Sequence, residues 1–353
     1  MFDWLKSKFQ KQTAEDKNKK AKDFVLSDIM FSHHTLQGEG PKKNENQDSI
    51  LVADQQKEIF FAFGVFDGHG NSGKEASNAA VDNFQKHLDK NASKILKLTT
   101  NAQIEKFVYK MFETCESKMK NSGIDYSNSG TCSVFIILKD NMITVANLGD
   151  SRAVLCRVGT EKMAIELSWD QKPTRKDEKQ RIIASGGKIE KLIHNGDPVG
   201  PFRVWVDEEG PGIAMTRTLG DLHAKKIGLI SKPEIDHLAL KKRDKFIVCA
   251  SDGIWDVMTS AEVVGFILKR EDQWFKDPSN PHKIADELCT EARNRWEDSN
   301  GKQGFANEIG DFPTARHGID DVTCVIAFFN FEDGEGKEQI DTIIQSGKDS
   351  MLN

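Results

Sequence analysis

The chain has 353 residues, 38 % hydrophobic and 29 % charged, with a formal net charge of -6. That length allows a large core in one to three domains, and the acidic balance argues against nucleic acid as the main partner. No apolar run approaches the roughly 20 residues that cross a bilayer.

Residues 1–22 read as a flexible, Lys-rich tail. Within it Phe2, Leu5 and Phe9 share one helical face beside lysines, which suits either a weak membrane-surface or partner contact or a terminus that docks on the body or frays. Lysines interrupt any secretory signal pattern, and Phe2 in place of Gly excludes N-myristoylation. Residues 27–66 are strand-like. Two amphipathic helices follow, one with Ala76, Ala80, Phe84 and Leu88 on a stripe, the next with Ile104, Phe107, Val108, Met111, Phe112, Cys115 and Met119. These stripes are core, not a cofactor box.

Short strands at 131–138, 142–147, 153–158 and 163–167, joined by polar turns, predict antiparallel hairpins. Residues 174–185 read as a helix ended by Gly186-Gly187. Residues 188–212 hold several glycines and prolines and are expected to be an irregular loop. A strand at 245–250, a short helix at 260–269, an amphipathic helix at 282–296, a polar loop at 299–315 and a buried strand at 322–330 complete the body, before a charged tail to residue 353. Strand and helix groups in this order predict two antiparallel sheets faced by helix pairs. The six cysteines mostly sit in apolar runs without a CxxC pair, as reduced core thiols of a cytosolic protein do.

Residues 59–66 are almost purely apolar and end in Asp67-Gly68-His69-Gly70. A strand buried on both faces would hold Asp67 rigidly at a cleft. The two glycines let backbone approach a ligand, and His69 can titrate near neutral pH. The competing reading is a turn after a core strand. The pattern recurs, however: Asp150, Asp252 with Asp256, Asp48, and Asp320 with Asp321 all lie at the ends of strand-like runs. Carboxylates gathered this way repel one another unless cations neutralise them, and hard oxygen ligands suit Mg2+ or Mn2+ rather than zinc.

Eight motifs then name a family. They are Glu45-Asn46-Gln47-Asp48-Ser49, Val65-Phe66-Asp67-Gly68-His69-Gly70, Ser129-Gly130-Thr131 and Asn147-Leu148-Gly149-Asp150-Ser151-Arg152, followed by Lys172-Pro173 leading to Gly186-Gly187, Met215-Thr216-Arg217-Thr218-Leu219-Gly220-Asp221, Ser251-Asp252-Gly253-Ile254-Trp255-Asp256 and Gly318-Ile319-Asp320-Asp321. In this order, over roughly residues 25–332, the chain resembles the metal-dependent type 2C Ser/Thr protein phosphatases (the PPM family), most like plant and protist members.

The resemblance implies an α+β fold: a central antiparallel β-sandwich with a helical layer on each side (α-β-β-α) and a flap at roughly 173–225 within a catalytic domain of residues 23–332. Residues 333–353 would be a C-terminal tail. It implies hydrolysis of phosphoserine and phosphothreonine in proteins by a water activated between two Mg2+ or Mn2+ ions, with no covalent intermediate and no nucleic-acid partner. Asp67 corresponds to the carboxylate bridging the two ions and the Gly68 carbonyl to a ligand of the second. Asp252 and Asp320 correspond to ligands of the first, and Asp48 to the residue holding its water. Asp150 and Asp256 correspond to a pair that takes a third, weaker cation. His69 corresponds to the general acid and Lys43 to the residue gripping the substrate phosphate. A monomer is the expectation, either cytoplasmic alone or cytoplasmic and nuclear.

Three positions depart from the family pattern: Gln47 for a Glu of animal members, Asp321 for a common Asn, and Lys43 for an Arg, which keeps the charge but loses the bidentate fork. No direct metal carboxylate is lost, which favours an active enzyme over a phosphoprotein-binding pseudophosphatase. A phosphoesterase of small molecules is the other alternative. In residues 188–212, Phe202 and Trp205 would either recognise a protein partner or pin the loop to the body.

Overall fold

The computed structural model describes residues 24–40, 44–53, 60–159, 162–194, 196–206, 210–270, 282–301 and 318–333. Lys43, both tails up to 23 and from 334, the acidic run 207–209 and most of the expected polar loop (302–317) lie outside the described residues.

Two five-stranded antiparallel sheets form the centre. One has the order β1 (Phe24–Leu36), β15 (Val322–Asp333), β14 (Asp244–Ala250), β8 (Arg152–Val158), β9 (Lys162–Glu166). The other runs β13 (Glu234–Ala239), β7 (Met142–Leu148), β6 (Ser133–Lys139), β3 (Phe61–Phe66), β2 (Ser49–Ala53). Because strand side chains alternate between faces, Phe63 and Val65 of β3 enter the inter-sheet core with Val134, Ile136, Ile247 and Val325. Ala62 and Phe66 of the same strand instead face α1 (Gly73–Ile95) and α2 (Asn101–Lys120). There Phe84 makes edge-to-face contacts with Phe66, Phe112 and Phe135 at ring-centroid distances of 5.1, 4.9 and 5.3 Å. Each such pair adds about 0.5–1.5 kcal/mol beyond the area it buries.

The outer face of the first sheet is covered by α4 (Asp252–Trp255), α5 (Ser260–Leu268) and α6 (Lys283–Gly301), with Trp255, Ile284, Leu288 and Trp296 in that layer. The architecture is therefore the expected α-β-β-α sandwich. Both helical stripes read from the sequence are buried.

Between β9 and β13 the chain leaves the sandwich. It forms α3 (Lys176–Ala184) and then a hairpin of β10 (Lys188–His194) and β11 (Asp197–Trp205). The sequence predicted an irregular loop for residues 188–212; most of it is this hairpin. Gly196, at φ 92°, makes the turn, and the register shift after Lys191/Phe202 leaves Gly200 and Pro201 as extra residues of β11. A two-stranded ribbon has free edges, so its prolines forfeit no ladder bond to a third strand.

Candidate active site

The strand ends carrying the motifs meet at one end of the sandwich. Asp67 follows β3. Its backbone carbonyl accepts hydrogen bonds from the Cys132 amide at 2.8 Å and the Thr131 hydroxyl at 2.9 Å. Asp48 precedes β2 in the same sheet, yet its Oδ2 accepts from the Ser251 hydroxyl of the other sheet at 2.9 Å. Ser251 in turn is tied to Thr323 at the start of β15. This seam brings Asp48, Asp67, Asp252 and Asp320 together from both sheets. Gly253 is required beside it: an added Cβ would lie 2.0 Å from the Asp321 carbonyl oxygen.

Electrostatics mark the cleft as short of positive charge. Burial, then the negative charges of Asp252, Asp48, Asp320 and Asp150, push the Asp67 carboxyl well above its usual range. Burial, then Asp320, Asp150 and Asp256, do the same to Asp252. Asp48 is pushed up to about 7, chiefly by burial, with Asp321 and Asp320 adding to it against two hydrogen bonds. Asp256, just past α4, reaches about 6, again chiefly by burial. An all-oxygen donor set with this excess of negative charge fits hard divalent cations such as Mg2+ or Mn2+. Among the described residues no three acidic, histidine or cysteine groups are already drawn into a closed ligand set. Asp48, Asp67, Asp252 and Asp320 would hold two such ions, with Gly68, which pairs with Thr131, beside them.

Two predicted residues have occupations the sequence did not reveal. Asp150 is buried, and its Oδ2 takes an ion pair from Lys172 Nζ at 2.6 Å while its Oδ1 accepts from the Cys132 thiol at 3.3 Å. Burial would raise its pKa, but Lys172 holds it below the usual range. Lys172 also feels Asp256 and Asp252. Asp321 accepts the backbone amides of Gly38 at 2.7 Å and Gln47 at 2.9 Å; Gln47 itself donates to the Gly70 carbonyl at 2.9 Å.

His69 has a partner that sequence reasoning missed. Its Nε2 lies 2.7 Å from Asp221 Oδ2, and its Nδ1 has no hydrogen-bond partner. A three-stranded ribbon brings the pair together: β4 (Gly68–His69), β5 (Gly130–Thr131) and β12 (Leu219–Gly220), with His69 opposite Gly130 and Gly130 opposite Gly220. Asp221, at φ 48°, turns back across Gly130, where an added Cβ would stand 2.5 Å from Oδ2. Burial alone would lower the His69 pKa; the charge and hydrogen bond of Asp221 outweigh it and raise it above its ordinary value. Only the Asp at the end of the Leu219-Gly220-Asp221 motif hinted at this, and nothing in the spacing aimed it at residue 69.

Beside the cleft, Glu178 ties α3 to the chain at Thr216 and Arg217. This buried carboxylate pairs with Arg181 and Arg217 at 2.6 Å each and with Arg175 at 3.3 Å, and accepts from the Thr216 hydroxyl. Trp205 is pinned: its indole N–H donates to the Glu190 carbonyl at 3.0 Å, and its ring leaves no room for a Cβ on Gly212. Phe202 is exposed, with the Lys191 ammonium 5.3 Å from its ring centre.

A sandwich with an oxygen-rich, cation-short cleft at one end is the frame of a metal-dependent phosphatase. The family described as "Protein phosphatase 2C" matches residues 30–301. The chain is 32 % identical over 306 residues to "Probable protein phosphatase 2C 34" of Arabidopsis thaliana, covering 82 % of this chain and 78 % of that one. It is 32 % identical over 299 residues to "Probable protein phosphatase 2C 73" of Oryza sativa subsp. japonica, covering 75 % and 67 %. Among solved structures, the serine-threonine phosphatase 2C of Toxoplasma gondii superposes with a TM-score of 0.67 at 20 % identity, covering 88 % of this chain and 97 % of that one. The chain belongs to the protein phosphatase 2C family, whose members are metal-dependent phosphoprotein phosphatases.

Proposed function

We propose that the chain hydrolyses phosphoserine and phosphothreonine in proteins by direct attack of water, without a covalent enzyme intermediate. The observation that carries this reading is the convergence of Asp48, Asp67 and Asp252 beside Asp320, where burial and mutual negative charge push the first three carboxyls up. When bound there, two divalent cations supply an acidified water and a Lewis-acid clamp on phosphoryl oxygens. Asp48, braced by Ser251, orients water in the cleft. His69, held at Nε2 by Asp221, supplies the proton to the leaving Ser or Thr oxygen. No thiol competes as nucleophile: all six cysteines are buried, and burial pushes the thiols of Cys115, Cys132, Cys249 and Cys289 up. Asp150 and Asp256 form the weaker third cation site once Lys172 yields.

The test is hydrolysis of a phosphoserine peptide with Mn2+ or Mg2+, with EDTA, and in H2 18O. Metal-dependent release of phosphate carrying one solvent oxygen per turnover, with no trapped phosphoenzyme on rapid quench, is expected. Turnover unaffected by EDTA, or a phosphoenzyme that forms and decays at the turnover rate, would overturn the reading. A phosphopeptide preference over nucleotides separates a protein phosphatase from a small-molecule phosphoesterase.

A further inference from the structure

The arginines around α3 are committed. Arg175, Arg181 and Arg217 are all ion-paired to Glu178, and Arg175 and Arg217 also to Glu234. Arg203, on β11, is different. Its one hydrogen bond runs from Nη1 to the Gly212 carbonyl at 2.9 Å, and among the described residues no carboxylate pairs with it. Its stem lies flat on Gly212, where an added Cβ would stand 2.9 Å from both its Cβ and its Cδ. The guanidinium is half-buried, and burial lowers its pKa. A half-buried guanidinium with one donor bound to a carbonyl and the others facing no carboxylate can offer them to an anion.

Its position says which anion. The next residue, Val204, bridges to Ile213 by two backbone hydrogen bonds of 2.8 and 3.0 Å. Ile213 packs in the same small cluster as Cys132, whose thiol donates to Asp150. Arg203 thus stands on the hairpin at the rim of the acidic cleft, and the negative charges it feels there are those of Asp150 and Asp252. They lie close enough to attract it, yet neither forms an ion pair with it.

We propose that Arg203 is a phosphate-binding residue of the cleft, offering its planar fork to the phosphoryl group being hydrolysed from the hairpin side. This rests on the phosphatase reading above. It supplies the bidentate geometry that a lysine at position 43 does not have, since only a guanidinium matches two phosphoryl oxygens at once. The site is built to stay open: Gly212 holds the stem and one nitrogen, which sets the orientation of the others before substrate arrives.

The test uses the full chain with Mn2+, comparing the wild type with Arg203→Met and Arg203→Lys. Charge-assisted hydrogen bonds of this kind predict that Arg203→Met raises both KM for a phosphoserine peptide and KM for p-nitrophenyl phosphate by about ten- to a hundredfold. The inhibition constant of inorganic phosphate should rise in step, and the melting temperature should stay within a degree or two. Arg203→Lys should recover only part of the loss. Unchanged phosphate inhibition would overturn the proposal, as would a KM increase confined to the peptide, which would mean contact with flanking residues instead. A fall of several degrees in melting temperature with KM unaltered would also overturn it, by assigning the stem a packing role alone. Calorimetric titration of inorganic phosphate into both proteins keeps this separate from the hydrolase reading. If the wild type turned over neither substrate, equal phosphate affinity in wild type and Arg203→Met would still refute the role of Arg203.

Discussion

Two places in this molecule bring carboxylates out of water, and they are treated in opposite ways. At the root of the hairpin, Glu178 is buried, but three arginines and a threonine surround it. Burial would raise its pKa, and the hydrogen bonds and charges of Arg181 and Arg217 instead hold it far below the usual carboxylate range. At the end of the sandwich, Asp48, Asp67, Asp252 and Asp256 are pushed up chiefly by burial, with neighbouring carboxylates adding to it. The fold has cations available and places them where a carboxylate serves structure. Where they are withheld, the cleft is left to attract cations from solution, so the balance of charge separates the anchoring acid from the working ones.

The largest expected effect breaks the working side alone. Asp67→Asn or Asp252→Asn should reduce phosphopeptide turnover to background, because each removes a proposed cation ligand. Removing a buried, like-charged carboxylate also relieves repulsion, so the melting temperature in EDTA should hold or rise. Near-normal turnover of either variant in saturating Mn2+ would refute the ligand assignment. Measured in parallel by thermal melting, wild-type protein should gain stability when Mn2+ is added, and the Asp67→Asn variant should gain far less.

Next in size is the proton donor. His69→Gln should lower turnover of a phosphoserine peptide by about 10²-fold and that of p-nitrophenyl phosphate much less, since p-nitrophenolate leaves without a proton. Asp221→Asn should show the same leaving-group contrast with a smaller loss, because the imidazole remains but its partner at Nε2 loses its charge. Equal losses on both substrates would count against the acid role of the pair.

The anchoring side should respond in stability first. Glu178→Gln leaves the arginines without their central charge and should cost about 3 kcal/mol, the low end for a broken buried pair, since Arg181 and Arg217 keep side-chain exposures of 25 % and 10 %. The pH dependence has a definite sign. Because folding lowers this group's pKa from its ordinary 4.5, its contribution is complete above 4.5 and is lost as pH falls through the folded value. Urea unfolding at pH 7 and pH 3 should therefore show a smaller wild-type-to-variant difference at pH 3. A difference that grows in acid would mean that Glu178 is not the charged anchor.

The contrast between the two sites was only half legible in the sequence. Carboxylates at the ends of apolar runs stand out because strands buried on both faces read as unbroken hydrophobic stretches, and β3, β6, β14 and β15 do so here. The counter-charges do not stand out. Lys172 reaches Asp150 across 22 positions and Asp221 reaches His69 across 152, the latter pair aligned by strands of two residues with no periodicity to detect. The edge strand β13 escaped notice because Glu234–Ala239 is mostly half-buried and has no apolar run. The hairpin of residues 188–205 has the sequence of a loop because glycine and proline, which ordinarily break structure, here make its turn and bulge.

The smallest expected effect sharpens the comparison at its one mixed point. Asp150 belongs to the acidic cleft, yet its carboxylate is ion-paired with Lys172, at 2.6 Å. If Asp150 and Asp256 share a weak third cation, Lys172 must compete with that cation for the same carboxylate, and the ammonium opposes its entry. Lys172→Met removes the competitor and keeps the length of the stem. The Mn2+ concentration giving half-maximal activation should then fall by about tenfold, the equivalent of about 1.4 kcal/mol of relieved repulsion. Direct titration should show the same change in the weak site only, with the tight sites unmoved. An unchanged Mn2+ dependence with turnover collapsed would place Lys172 on the substrate instead, and Asp150 would then belong with Glu178, as an acid whose cation the fold supplies.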